Sequence, residues 1–256
     1  MRVGLFIPCY VDQFYPQVAR ATLTLLEQLG CTVAYPLDQT CCGQPMANAG
    51  YAHLTGGCNA NFIRNFALFD YVVAPSGSCT LHVKQHLHGL DAAAAEQAAA
   101  IRSRVYELTE FLVDVLNVPE RVPGLGRPGG RPLRVGLHQS CHGQRGLHLS
   151  PMSELAGRQG VSKPERLLRL VGGLELVQLD RRDECCGFGG TFCVTEEAIS
   201  VKMGKDRVAD HLRQGVDVIT GVDVSCLMHL EGILRRQHSP VRVQHIAELL
   251  VTPAER

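Results

Sequence analysis

The chain has 256 residues, 45% of them apolar and 20% charged, and its 25 Lys and Arg residues balance 25 Asp and Glu residues. This composition suits a globular protein with one large core or two smaller ones, and the zero net charge gives no reason to expect a nucleic-acid or anionic-membrane partner. No apolar run approaches the roughly 20 residues of a membrane span. The first apolar run, residues 3–7, is only five residues long and stops at Pro8. We therefore predict no secretory signal, no direct membrane insertion and a cytoplasmic protein.

The 11 cysteines are the unusual part of the composition. Their number is odd, and the cytoplasm is reducing, so a disulfide framework is not expected. Clustered thiols in such a protein indicate metal binding or redox chemistry.

In chain order, the first half begins with short runs that are rich in β-branched residues. They lack alternation between apolar and polar residues, which predicts strands buried on both faces. These runs span residues 2–8, 32–37 and 71–75. Helices are predicted between them, the first opening at Pro16 and ending at Gly30. Residues 92–116 are predicted to form one amphipathic helix that packs on the core.

The second half repeats the first. Three cysteine-containing segments recur in the same order with similar flanking residues. Segments 3–10, 41–43 and 78–82 correspond to 135–142, 185–187 and 225–229. Residues 119–132, rich in Gly and Pro, are the predicted linker. We therefore predict two tandem, pseudo-symmetric domains, residues 1–120 and 133–256.

Strands that alternate with helices favour parallel βαβ units, so each copy is predicted to be an α/β domain with a mainly parallel sheet. The cysteines follow the strands, and the carboxyl ends of parallel strands share one edge, where open α/β folds build their sites. Four cysteines per copy should therefore meet at that edge. They are Cys9, Cys41, Cys42 and Cys79 in the first copy, and Cys141, Cys185, Cys186 and Cys226 in the second.

Four thiolates at one edge suit either an iron–sulfur cluster or zinc. The side chains of two adjacent cysteines diverge, which is awkward for a single tetrahedral ion and better suited to a larger inorganic core. Gly43 and Gly187 follow the two Cys-Cys pairs and would let backbone N–H groups approach cluster sulfurs. The pattern therefore favours a cluster and leaves zinc as the alternative.

Histidines near the cysteines are further candidates. His82 and His229 each follow a cysteine by three residues in both copies, so they are candidate ligands or proton carriers. His138 and His142 flank Cys141 but have no counterparts in the first copy, which makes them weaker candidates. Cys31, Cys58 and Cys193 lack a counterpart in the other copy. Cys31 and Cys58 are interpreted as packing residues, and Cys193, close to the Cys185-Cys186 loop, is a weaker candidate ligand.

The repeated Cys…Cys-Cys-Gly…Cys pattern resembles the cysteine-rich CCG domain family, which includes cysteine-rich subunits of heterodisulfide reductase, of glycolate oxidase and of anaerobic glycerol-3-phosphate dehydrogenase. Two copies without a ferredoxin-like segment are most similar to the lactate utilization protein A family. The segments that carry the resemblance are residues 41–45, 75–79, 185–192 and 225–229. The resemblance implies an iron–sulfur electron-transfer subunit of a complex that oxidises L-lactate to pyruvate, with a ferredoxin-type iron–sulfur protein among its partners.

The fuller pattern of that family has five thiols per copy and ends in Cys-x-x-Cys. Here Ser76 and Asp223 occupy the earlier position of that pair. Four thiols still suffice for an ordinary [4Fe–4S] cluster, so one or two clusters per chain are expected. The carboxylate of Asp223 is a further candidate iron ligand, with helix capping as its other interpretation.

Two other functions are compatible with the thiols. A zinc-stabilised scaffold subunit would assemble a complex without redox activity of its own. A thiol–disulfide enzyme would cycle the adjacent cysteines, although the sequence has no C-x-x-C motif.

Overall fold

The computed structural model describes residues 1–118, 131–154 and 160–251. It contains two four-stranded sheets in which every strand pair is parallel, which confirms the predicted α/β fold. The elements of the first half are β1 (Arg2–Leu5), α1 (Cys9–Phe14), α2 (Pro16–Gln28), β2 (Thr32–Ala34), α3 (Gln44–Asn48), a 3₁₀ turn (Ala52–Leu54), α4 (Gly56–Phe66), β3 (Tyr71–Ala74), α5 (Gly77–His86), α6 (Ala92–Arg102), β4 (Val105–Glu107), α7 (Leu108–Glu110) and a π-helical turn (Phe111–Val115).

The second half follows the same plan. Its elements are β5 (Leu133–His138), a π-helical turn (His142–Gly146), α8 (Lys163–Arg169), β6 (Leu174–Val177), α9 (Phe192–Thr195), α10 (Glu197–Arg213), β7 (Val218–Gly221), α11 (Val224–Arg236), β8 (Arg242–His245) and α12 (Ile246–Leu250). Among the helices described, none is long and apolar enough to cross a membrane.

The two sheets have the same strand order, β2-β1-β3-β4 and β6-β5-β7-β8. Their registers also correspond, since Gly4 pairs with Val72 in the first sheet and Gly136 pairs with Ile219 in the second. In each sheet the second strand in the chain pairs with one side of the first strand, and the third strand pairs with its other side. Such a reversal opens a crevice at the carboxyl ends of the central strands, where open α/β sheets bind ligands.

Local sequence signals explain some boundaries and fail at one. Pro16 opens α2, as predicted. The single helix predicted over residues 92–116 is wrong, because α6 ends at Arg102 and a strand follows. Val105 begins β4 and pairs with Val72 of β3. This tertiary pairing outweighs the helical spacing of apolar residues in the segment.

The two halves share one hydrophobic core. Its largest buried cluster joins the central strands of both sheets, including Val3 of β1 and Val135 of β5. Helix α12 of the second half also packs against α2 of the first. The boundaries 1–120 and 133–256 stay a prediction, and the predicted linker 119–132 lies outside the described residues except for its last two.

Candidate metal centre

All eight cysteines of the repeated pattern lie beyond the carboxyl ends of strands, where the parallel topology predicts them. In the first half, Cys9 begins α1, Cys79 lies in the first turn of α5, and the Cys-Cys pair lies in the loop after β2. Seven of the eight line one cavity of about 570 Å³, to which both halves contribute. These seven are Cys9, Cys42, Cys79, Cys141, Cys185, Cys186 and Cys226. Both thiol sets therefore face the same space.

The thiols of the first half pack closely. Sγ of Cys9 lies 3.6 Å from Sγ of Cys41. The N–H of Gly43 donates a hydrogen bond to Sγ of Cys41 at 3.4 Å. Gly43 has a φ of +90°, a conformation that favours glycine. The turn after the Cys-Cys pair thus directs a backbone donor at a sulfur.

The second half repeats this turn. The N–H of Gly187 donates to Sγ of Cys185, and that of Phe188 donates to Sγ of Cys186, each at 3.4 Å. Gly187 has a φ of +88°, and a Cβ at this position would lie 2.6 Å from the carbonyl oxygen of Ser200. Both the backbone conformation and the available space therefore require glycine here.

Crowding shifts the pKa values of the thiols. Hydrogen bonds from neighbouring thiols, above all that of Cys42, hold the pKa of Cys41 well below its usual range. The thiol of Cys141 does the same to the pKa of Cys185. These hydrogen bonds, together with burial, raise the pKa of Cys9 and Cys141. Cys9 and Cys141 therefore hold their protons beside the thiolates of Cys41 and Cys185, and a bound cation would offset the charge of further thiolates.

The second half also contains a compact group of three donors. The ligand atoms of His138, Cys186 and Cys226 all lie within 4.8 Å of one another, and all three residues are buried. Neither ring nitrogen of His138 has a hydrogen-bond partner in the described part of the chain. Burial lowers the pKa of His138 to about 3, so its imidazole is neutral and able to ligate a metal.

Sequence reasoning undervalued His138. The comparison of the two copies favoured residues that both contain, and the first copy has Phe6 at this position. The available signal was a histidine at the end of a buried strand, three residues before Cys141. The donor set of thiols and imidazole suits soft and borderline metals, so the site fits an iron–sulfur group or zinc.

Asp223 has a clear structural role. It is the N-cap of α11, where Oδ1 accepts hydrogen bonds from the N–H and the hydroxyl of Ser225. Its Oδ2 accepts the N–H of Ser78, from the other half, at 2.7 Å. Ser76 caps α5 in the equivalent way, by accepting the N–H of Cys79. Helix capping accounts for both residues, and iron ligation by Asp223 stays a prediction.

The two repeated histidines do not line the cavity that the thiols share. Nε2 of His229 is 3.3 Å from the carbonyl oxygen of Ser200, so this ring contacts α10. His82 is buried in α5 with its ring 4.9 Å from that of His86, and burial lowers its pKa to about 4. Neither belongs to the three-donor group. Their roles as ligands or proton carriers stay predictions.

The three unmatched cysteines differ in environment. Cys31 is buried in the core that the two halves share, in agreement with its interpretation as a packing residue. Cys58 is half-buried on α4. The thiol of Cys193 donates to the carbonyl oxygen of Gly190 at 3.1 Å.

Comparison with known proteins places the chain in a family. The CCG cysteine-rich domain matches residues 3–84 and 135–231, once in each half. Lactate utilization protein A of Geobacillus thermodenitrificans is 42% identical over 98% of this chain and 98% of that protein. The proteins of the same name from Bacillus licheniformis and Bacillus subtilis are each 40% identical over 98% of this chain and 99% of their own length. The chain therefore belongs to the lactate utilization protein A family and contains two CCG cysteine-rich domains.

Proposed function

We propose that this protein carries electrons in lactate utilization through iron–sulfur clusters held by its two cysteine sets. The relatives are named for lactate utilization, and the matched domain is cysteine-rich. The observation that carries the proposal is the single cavity of about 570 Å³ lined by seven thiols from both halves. Thiolates in sets of four are the ligands of [4Fe–4S] clusters, so each half has enough donors for one.

Oxidation of L-lactate to pyruvate releases two electrons and two protons. Clusters held by the two cysteine sets would supply one-electron chemistry, so this chain would pass the two electrons on in single steps. The backbone N–H groups of Gly43, Gly187 and Phe188 donate to cysteine sulfurs, and hydrogen bonds of this kind tune the reduction potential. The proposed partners are a ferredoxin-type iron–sulfur protein and a third small protein in a cytoplasmic complex.

The test follows electrons from lactate. The complex is co-expressed, purified without oxygen and mixed with L-lactate, and its EPR spectrum and pyruvate formation are measured. We expect a cluster signal and pyruvate in the wild type, and loss of both when Cys42 and Cys186 are replaced together by Ser. Cys31→Ser is the matched control, because it changes a buried thiol in the shared core outside the cavity. Normal pyruvate formation by the double variant would overturn the proposal.

One observation favours a second candidate, a zinc-stabilised scaffold. A zinc–sulfur bond of about 2.3 Å places tetrahedral ligand atoms roughly 3.8 Å apart. The donor atoms of His138, Cys186 and Cys226 lie within 4.8 Å of one another, which is compatible with one such ion. Stoichiometric zinc without acid-labile sulfide, in a complex purified without oxygen, would favour the scaffold over the electron carrier.

A further inference from the structure

The two halves differ directly behind their cysteines. His138 ends β5, and the repeat aligns it with Phe6 of the first half. Phe6 packs edge-on against Phe62 and Phe66, with ring centroids 4.9 and 5.8 Å away. The first half is therefore closed by an aromatic cluster that offers no donor atom, whereas the second half presents an imidazole at the same place.

His138 is a buried polar side chain that lacks a partner. It is 1% exposed, and both ring nitrogens are without a hydrogen bond among residues 1–118, 131–154 and 160–251. Buried polar groups in folded proteins are almost always satisfied, because an unpaired one is destabilising. One ring nitrogen of His138, Sγ of Cys186 and Sγ of Cys226 all lie within 4.8 Å of one another. The unpaired imidazole thus faces the thiols of the site.

We propose that a ring nitrogen of His138 coordinates the metal group of the second half together with Cys186 and Cys226. This inference rests on the proposed function only in requiring a metal at that position, and it holds for an iron–sulfur cluster or for zinc. It adds to the site a ligand that lies outside the repeated eight-cysteine pattern.

Such a ligand would make the two metal groups unequal. A neutral imidazole carries less negative charge than a thiolate, so an iron–sulfur group held partly by imidazole has a higher reduction potential than one held by thiolates alone. The surroundings of the two halves differ as well: Gly136 lies against His211, whereas its first-half counterpart, Gly4, lies against Phe66. Because the metal group of the second half would have the higher reduction potential, electrons would pass from the first half to the second.

The wild-type chain itself provides the first test. The full chain is purified without oxygen, and X-ray absorption at the iron or zinc edge, with pulsed EPR of the reduced iron form, reports the ligand atoms. We expect a directly bound nitrogen, seen as a strong ¹⁴N coupling or as a nitrogen shell in the absorption data. An all-sulfur first shell, or only the weak couplings of backbone N–H groups hydrogen-bonded to sulfur, would overturn the inference.

Variants assign that nitrogen. His138→Phe, which installs the residue of the first half, should abolish the nitrogen signal and remove about half of the bound metal. His138→Cys offers a thiolate instead, so it should retain the metal, lose the nitrogen signal and lower the potential of the second group. His142→Asn, next to Cys141, is the matched control and should keep the signal. Retention of the nitrogen signal in either His138 variant would refute the assignment, and His138→Cys keeps the test usable if the Phe variant does not fold.

The two proposals fail in different ways. A chain that holds zinc and no sulfide, with one nitrogen ligand lost in His138→Cys, would refute electron transfer and support the imidazole ligand. Clusters in both halves with sulfur ligands alone would leave electron transfer intact and refute the imidazole ligand. A second half that binds neither iron nor zinc would refute the inference directly.

Discussion

Replacing Gly187 with Ala tests how closely the turn after the second Cys-Cys pair is packed. Gly187 has a φ of +88°, and a new Cβ would lie 2.6 Å from the carbonyl oxygen of Ser200 and 2.8 Å from Cβ of Met203. A left-handed conformation costs a non-glycine residue about 1–2 kcal/mol. Overpacking a tight site adds about 1–3 kcal/mol. We therefore expect Gly187→Ala to lower the free energy of unfolding by about 2–5 kcal/mol.

Two other glycines provide matched comparisons. Gly43 occupies the same turn in the first half with a φ of +90°, but its Cβ would meet Thr55 at the milder distance of 3.2 Å. Gly43→Ala should therefore cost mainly the backbone term, about 1–2 kcal/mol. Gly172 has open space around the position of a Cβ, so Gly172→Ala should change stability by less than about 0.5 kcal/mol.

The assay is urea denaturation followed by circular dichroism, with metal removed and the thiols kept reduced. Under these conditions the order of stability loss reports the backbone and the packing without a contribution from metal binding. The expected order is Gly187→Ala, then Gly43→Ala, then Gly172→Ala. A Gly187→Ala protein as stable as Gly172→Ala would refute the described geometry of the Cys-Cys-Gly turn.

Three further predictions concern contacts between the halves and one buried acid. Asp223→Ala removes a helix cap and leaves the buried N–H of Ser78 unpaired. It should lower the free energy of unfolding, measured by urea denaturation, by about 2–4 kcal/mol. An unchanged denaturation midpoint would contradict the role of Asp223 in joining the two halves. Tyr15→Phe removes the hydrogen bond that the Tyr15 hydroxyl donates to Glu231 at 2.5 Å. The same measurement should show a smaller loss of unfolding free energy, about 1–2 kcal/mol. A loss as large as that of Asp223→Ala would argue against this ranking. Burial raises the pKa of Glu107 to about 8 from its ordinary value of 4.5, so the folded state holds this proton more tightly than the unfolded state. The contribution of Glu107 to stability is therefore complete below pH 4.5 and is lost as the pH rises to about 8. Glu107→Gln should flatten that decline, and parallel pH profiles of unfolding free energy for the two proteins would count against the shifted pKa.

The sequence was informative where the physics is local or repeated. The duplication aligned the cysteines of both copies, and parallel strand topology then brought residues such as Cys9 and Cys41 together although 32 positions separate them. Pro16 marked the start of α2 because its fixed φ and missing N–H suit the first helical turn. These signals depend on residue type and spacing alone.

The rest depended on packing that spacing does not encode. Val105 follows the helical stripe of its segment, yet it forms a strand because β3 offers a pairing edge. The contact between Asp223 and Ser78 exists only because the two halves share a core. His138 ranks only as a weaker candidate from the sequence, because a comparison of the two copies favours residues that both contain. Its difference from Phe6 is the feature that makes the second half distinct.

Iron and acid-labile sulfide analysis with EPR tests the central claim most directly, on the chain purified without oxygen from co-expression with its partners. The account predicts about four irons and four sulfides per occupied half, with a signal that appears on reduction. It also predicts that Cys42→Ser and Cys186→Ser each remove one half's share. Zinc without sulfide, or no metal in either half, would contradict the account.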